Sequence, residues 1–166
     1  MKKIIFLAIL SGMTFCSMAQ KFEVPENIQL EKAEDYALYE EDVKNCIDWL
    51  LKTPVQKQSA KRKEASAFLL MWLSGSPNVT IEINADVLPF MESSPDMLII
   101  FLGGWTQAAL NSDEKLSMVD GNVAGIEAVL DFYTKNKGQL GKDKSIEKLI
   151  KIQQKNELQA HIEAQL

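Results

Sequence analysis

One histidine, His161, and two cysteines, Cys16 and Cys46, stand among 166 residues. That scarcity excludes a structural zinc site, which draws on several such side chains. Gly-x-Ser-x-Gly is absent, and no glycine-rich loop follows a strand pattern, so neither a hydrolase nucleophile elbow nor nucleotide binding has support. No basic stripe runs along the chain. Lys and Arg number 18 against 23 acidic residues, a net charge of −5. Such a chain is a poor ligand for nucleic acid. Its one basic cluster, Lys61-Arg62-Lys63, reads as a solvated helix face. Long apolar runs are missing too. Ile4 to Leu10 and the uncharged stretch Met97 to Trp105 are both too short for a stable membrane span.

What is present starts with an address. Lys2-Lys3 followed by Ile4 to Leu10 forms the basic start and apolar core of a secretory signal. Ser17-Met18-Ala19 places small residues at the −3 and −1 positions, which predicts cleavage after Ala19 and Gln20 as the first mature residue. Phe15 precedes Cys16, whereas a lipoprotein signal requires small residues there, so the chain is expected to be exported to the periplasm or secreted without a lipid anchor. Cys46 is then the single mature cysteine, and no internal disulfide is available. Stability must come from a core, and the length suits one domain.

Residues 1–19 are thus assigned to a signal peptide, 20–32 to an extended lead-in containing Pro25, and 33–166 to a single helical domain. From Glu34 a helical stripe runs through Tyr39, Val43, Cys46 and Leu50 and ends at Thr53-Pro54. A second helix spans Gln58 to Ser74, and its apolar half, Ala67 to Leu73, is expected to be buried. Val79, Ile81 and Ile83 alternate like a strand. With no partner strand in sight, 78–84 reads as an extended connector whose three aliphatics lie on the helices. Asn84 resembles the cap of a short helix, about 85–92. Ser94-Pro95-Asp96 reads as the start of a buried central helix to about residue 111. The next helix is predicted from Asp113 to Asn136, ending at Lys137-Gly138. Two shorter ones follow Ser145 and Asn156. The fold class is therefore all-α, a bundle of about six helices.

Candidate chemistry is sparse. Ser112-Asp-Glu-Lys115 and Ser145-Ile-Glu-Lys148 match the Ser-x-x-Lys nucleophile motif, but its companion motifs are absent and both serines sit where helix caps are expected. Cys46 and His161 form the sole Cys/His pair, and Cys46 lies on an apolar stripe, where free cysteine behaves as a small core residue. No metal or other cofactor is predicted. Gly103-Gly104 and Gly121-x-x-x-Gly125 admit two readings. Small residues on consecutive helices allow close approach, the preferred reading. Alternatively, a kink beside Trp105 opens a groove for a ligand, formed by Gly103, Gly104, Trp105 and Trp72.

Three stretches, "LEKAEDYALYEEDVKNCIDWLL", "SGSPNVTIEIN" and "FMESSPDMLIIFLGGWTQAAL", resemble a group of small exported all-α proteins of unknown function from Bacteroidetes-type bacteria. "GGWTQAAL" followed by "VAGIEAVLDFYTKNKGQLGKDKSIEKLI" is similar in layout to helical periplasmic immunity proteins of the Tai type. The chain lacks that family's cysteines and the proline after Tyr133. The resemblances imply an exported helical protein and bring no activity. The function expected is a non-enzymatic interaction protein of the cell envelope, binding an unidentified protein or small ligand. The alternatives are a small-ligand or peptide binder using the Trp105 groove, and an enzyme built on carboxylates. A concave pocket joining separated carboxylates favours the enzyme, and a flat apolar patch favours a partner.

Overall fold

The computed structural model describes residues 22–166. The predicted cleavage at Ala19 and Gln20, and with it Cys16, lies outside them. Among the described residues all regular structure is helical: α1 (Ala33–Leu38), α2 (Glu40–Lys52), α3 (Ser59–Leu73), α4 (Met97–Asn111), α5 (Met118–Leu140), α6 (Lys144–Gln154) and α7 (Leu158–Glu163). The lead-in runs extended, with Phe22 buried against Trp49 at 6.1 Å between ring centroids.

The stripe read as one helix from Glu34 to Thr53 is two helices. Tyr39 leaves helical geometry (φ −103°, ψ 2°), closing α1 and opening α2. Its N–H reaches back three residues to the Tyr36 carbonyl, and its hydroxyl accepts from the Gln29 N–H at 3.3 Å. The tight last turn of α1 and a tie to the lead-in set the bend. Val43, Cys46, Ile47 and Leu50 of α2 are buried, facing Ala65, Phe68, Leu69 and Trp72 of α3.

No strand forms at 78–84. Val79 is buried and Ile81 packs on both apolar clusters, but Ile83 is 50% exposed, contrary to expectation. Asn84 does cap a turn, its side chain accepting from the Asp86 N–H at 2.8 Å. That turn does not propagate into a helix, because Pro89 disfavours a helical Leu88 and contributes no N–H. Turns carry the chain to Asp96 and bury Val87, Leu88 and Phe90.

α4 starts at Met97 rather than Pro95, because the Ser94 hydroxyl is drawn away to Asp143 (2.7 Å). α4 is the central helix, and α5 packs against it most extensively. The caps of the later helices differ from those read in the sequence. Ser117 caps α5 by accepting from the Asp120 N–H at 3.0 Å, so residues 113–117 stay outside the helix. α5 runs through Gly138 and ends at Gly141, whose φ of 78° suits glycine. Asp143, not Ser145, caps α6, and α7 begins at Leu158.

Candidate functional site

The residues proposed for a Trp105 groove are core. Trp105 is 2% exposed and Trp72 fully buried, with the Trp72 indole N–H donating to the Tyr36 carbonyl at 3.0 Å. Trp105 stands edge-on to Phe101 at 5.8 Å and presses on Gly121, where a Cβ would collide with its indole ring. A Cβ at Gly104 would lie 2.5 Å from the Ala128 Cβ and 2.8 Å from the Ala124 carbonyl of α5. One at Gly103 would meet Ile47 of α2 at 3.3 Å. These glycines let α4 fit against α5 on one side and α2 on the other, and no groove opens beside Trp105. That packing favours close helix approach, the preferred reading, over the alternative of a ligand groove.

The other sequence candidates are placed as follows. Cys46 is fully buried, its thiol donating to the Ala65 carbonyl at 3.3 Å, and burial pushes its pKa up to about 12. A thiol so placed is protonated at neutral pH and inert as a nucleophile. The folded protein is therefore expected to resist a thiol reagent at pH 8 and to react fully in urea; fast labelling of the native state would show the burial to be wrong. Ser112 closes α4 and its hydroxyl accepts from the Glu114 N–H, while Ser145 lies inside the first turn of α6. Among the described residues no group of three His, Cys, Asp or Glu side chains is arranged to hold a metal ion.

Acidic groups at the α5–α6 junction are spent on structure. Asp143, 8% exposed, accepts from the Ser93 hydroxyl (2.6 Å), the Ser94 hydroxyl (2.7 Å) and the N–H groups of Ser145 (2.8 Å) and Ile146 (3.1 Å). Burial alone would raise its pKa. The two hydroxyls and the Ile146 and Ser145 amides outweigh burial and hold it below the usual carboxylate range. The Asp143 N–H donates to the Tyr133 hydroxyl, which donates to Glu147, and Glu147 also pairs with Lys137. This network ties the 85–96 turns to the α5–α6 junction.

An opening with a mainly apolar wall lies elsewhere. A cavity of about 550 Å³ lies between the outer side of α3 and the first two turns of α4. Its wall is mainly apolar, with Ala67 and Leu70 on α3, Leu98 and Ile99 on α4, and Phe132 on α5. Leu70 is 48% exposed and its neighbour Met71 42%. Both belong to the half of α3 that was expected to be buried. α3 turns Phe68, Leu69 and Trp72 inward, and a helix cannot direct seven successive residues, Ala67 to Leu73, to one face.

Ser59, Arg62, Lys63 and Ser66 form the polar part of the wall. The basic cluster is only partly the solvated face predicted. Arg62 is half-buried, donating through Nη1 to the Leu50 carbonyl (3.2 Å) and through Nη2 to the Thr53 carbonyl. It thereby satisfies the open C-terminal end of α2. Its guanidinium lies 5.7 Å from the Trp49 ring centroid and 5.4 Å from that of Phe132. Its Nε is buried without an acceptor. Burial lowers the Arg62 pKa and the negative charge of Asp96 opposes that shift. Lys61 in turn donates to the Phe22 carbonyl and sits 5.4 Å from the Trp49 ring. Lys63 stays exposed on the cavity rim. Asp96 is the one carboxylate in the wall, so no pair of acids is assembled there.

No family model, no curated protein and no solved structure matches the chain. The cavity was not found from the sequence. The available signal was the string Phe68-Leu69-Leu70-Met71-Trp72-Leu73, which has more apolar residues than one helix face can bury.

Proposed function

We propose that this chain is an exported, non-enzymatic binding protein of the bacterial cell envelope, and that the α3–α4 cavity receives an apolar group. The observation that carries the reading is the half-open cavity itself, with Leu70 on its lip. A scattered surface leucine needs no explanation. A leucine, an alanine and the side of a central helix around a 550 Å³ recess form a concave apolar surface in the size range of small-ligand sites, about 300–1,000 Å³. The single carboxylate in the wall supports binding over acid–base chemistry, which uses paired groups with opposed roles. Export rests on the signal-like start of the sequence, and the resemblance to small exported helical proteins is part of the same proposal.

Two measurements test it. The chain starting at Gln20 is expected to bind the neutral dye N-phenyl-1-naphthylamine with a rise in fluorescence. Ala67→Trp fills the recess from an exposed position and should abolish that rise while leaving the melting temperature near the parent value. A parent protein that does not bind the dye, or a variant that binds it equally well, removes the cavity reading. Mass spectrometry of the natively expressed protein should show Gln20 at the start without an acyl chain; an intact Met1 removes the export reading, and an acylated Cys16 replaces the unanchored protein with a lipid-anchored one.

A further inference from the structure

The wall of the cavity is graded along α3. Ser59, Arg62, Lys63 and Ser66 lie at its N-terminal end, and Ala67 and Leu70 at the other. Arg62 and Leu70 are two turns apart, about 12 Å along the helix axis. Facing the polar end is the first turn of α4, the positive end of a 15-residue helix with Asp96 at its N-cap and its Met97 and Leu98 N–H groups bonded to the Ser94 and Pro95 carbonyls. The hydrogen bonds of the Arg62 guanidinium go to neutral carbonyls, and among the described residues no carboxylate forms an ion pair with it. Its charge is thus partly desolvated and held by the negative end of α2, with no carboxylate in contact. Asp96 opposes an anion there, but it is exposed, so its field is screened by water and salt more than that of the half-buried Arg62.

Resting on the reading that this cavity takes an apolar group, we propose that its occupant is a free single-chain carboxylate amphiphile, with its chain against Leu70 and its carboxylate at the Arg62–Lys63 end. The apolar floor supplies the hydrophobic contact, and the two cations and the helix end select the negative head over a neutral one. A chain of ten carbons serves as the probe, since it is unbranched and carries one terminal group.

The test is displacement of the bound neutral dye by decanoate and by decanol, with the mature chain at pH 7.5. Decanoate is expected to displace the dye at a concentration about ten-fold below that of decanol, the scale of one charge-assisted contact. Lys63→Gln should narrow that gap, because it removes one of the two cations; Arg62 is left intact because it holds the end of α2. Decanol displacing as well as decanoate, with the dye bound, overturns the carboxylate preference and leaves the cavity reading standing. Absence of dye binding overturns both. Binding to phosphatidylglycerol vesicles without affinity for free decanoate also overturns the proposal, since the anion then belongs to a membrane surface.

Discussion

Gly104→Leu should melt at least about 10 °C below the parent protein, corresponding to about 3 kcal/mol or more in a chain of this size. The first atom added is already in collision, 2.5 Å from the Ala128 Cβ and 2.8 Å from the Ala124 carbonyl. The second of those neighbours is helix backbone and cannot swing away like a side-chain tip. Gly125 lies opposite, its Cα 3.2 Å from the same point, and a Cβ there would meet Phe101 at 2.5 Å. Relief requires α4 and α5 to separate along the most extensive helix contact in the bundle. Leucine's better helix propensity returns only about 1 kcal/mol. Gly138→Ala is the internal control. It lies in the same α5 with nothing within 4 Å of an added Cβ, so alanine should stabilise by about 0.5–1 kcal/mol. Thermal unfolding followed by circular dichroism reads both. A Gly104→Leu protein melting with the parent would mean that the α4–α5 approach is looser than described and would reopen the groove at Trp105.

Asp143→Ala should cost about 3 kcal/mol at neutral pH, from a lost helix cap and from charge-assisted hydrogen bonds whose donors are left without a partner. Four donors converge on this carboxylate, two of them hydroxyls from a segment about fifty residues earlier in the chain. Asp143→Asn should cost less, since asparagine caps helices nearly as well but accepts through only one oxygen. The pH dependence separates the charge from the shape. Because the folded pKa is depressed, the carboxylate's contribution is complete above its unfolded value of about 3.9 and is lost as the pH falls through the lower folded value. The stability gap between parent and Asp143→Asn should therefore be widest above about pH 5 and shrink on acidification below about 3.9. Urea unfolding across that range measures it. A gap that stays constant with pH would show that the carboxylate's charge plays no part in holding the turns to α6.

The all-α class and the positions of most helices could be read from residue spacing. Local signals carried them: the stripe Val43, Cys46, Leu50; the uncharged stretch from Met97 to Trp105; and the prolines between helices. The burial of Cys46 followed from its place on such a stripe, and the preference for close packing at Gly104 and Gly125 from the cost of glycine inside helices. Caps were less legible. Ser145 and Asp143 are both good cap residues two positions apart, and the choice fell to Asp143, which also receives Ser93 and Ser94 from a distant segment.

Periodicity speaks when polar residues mark one side of a helix. Through Phe68 to Leu73 every residue is apolar and the phase is silent, so only the position of α2 decided that Phe68, Leu69 and Trp72 turn inward and that Leu70 and Met71 stay outside. Arg62 was one of three adjacent cations until folding brought it to the carbonyls of Leu50 and Thr53 and between the rings of Trp49 and Phe132. The cavity joins α3 to the start of α4 with a wall from α5; the polar-to-apolar order lies in the α3 sequence, but that these residues border a recess is not encoded in a local spacing. Helices arise from neighbours within one or two turns, whereas a recess is the space left where helices distant in sequence fail to meet, and it exists only once they have packed.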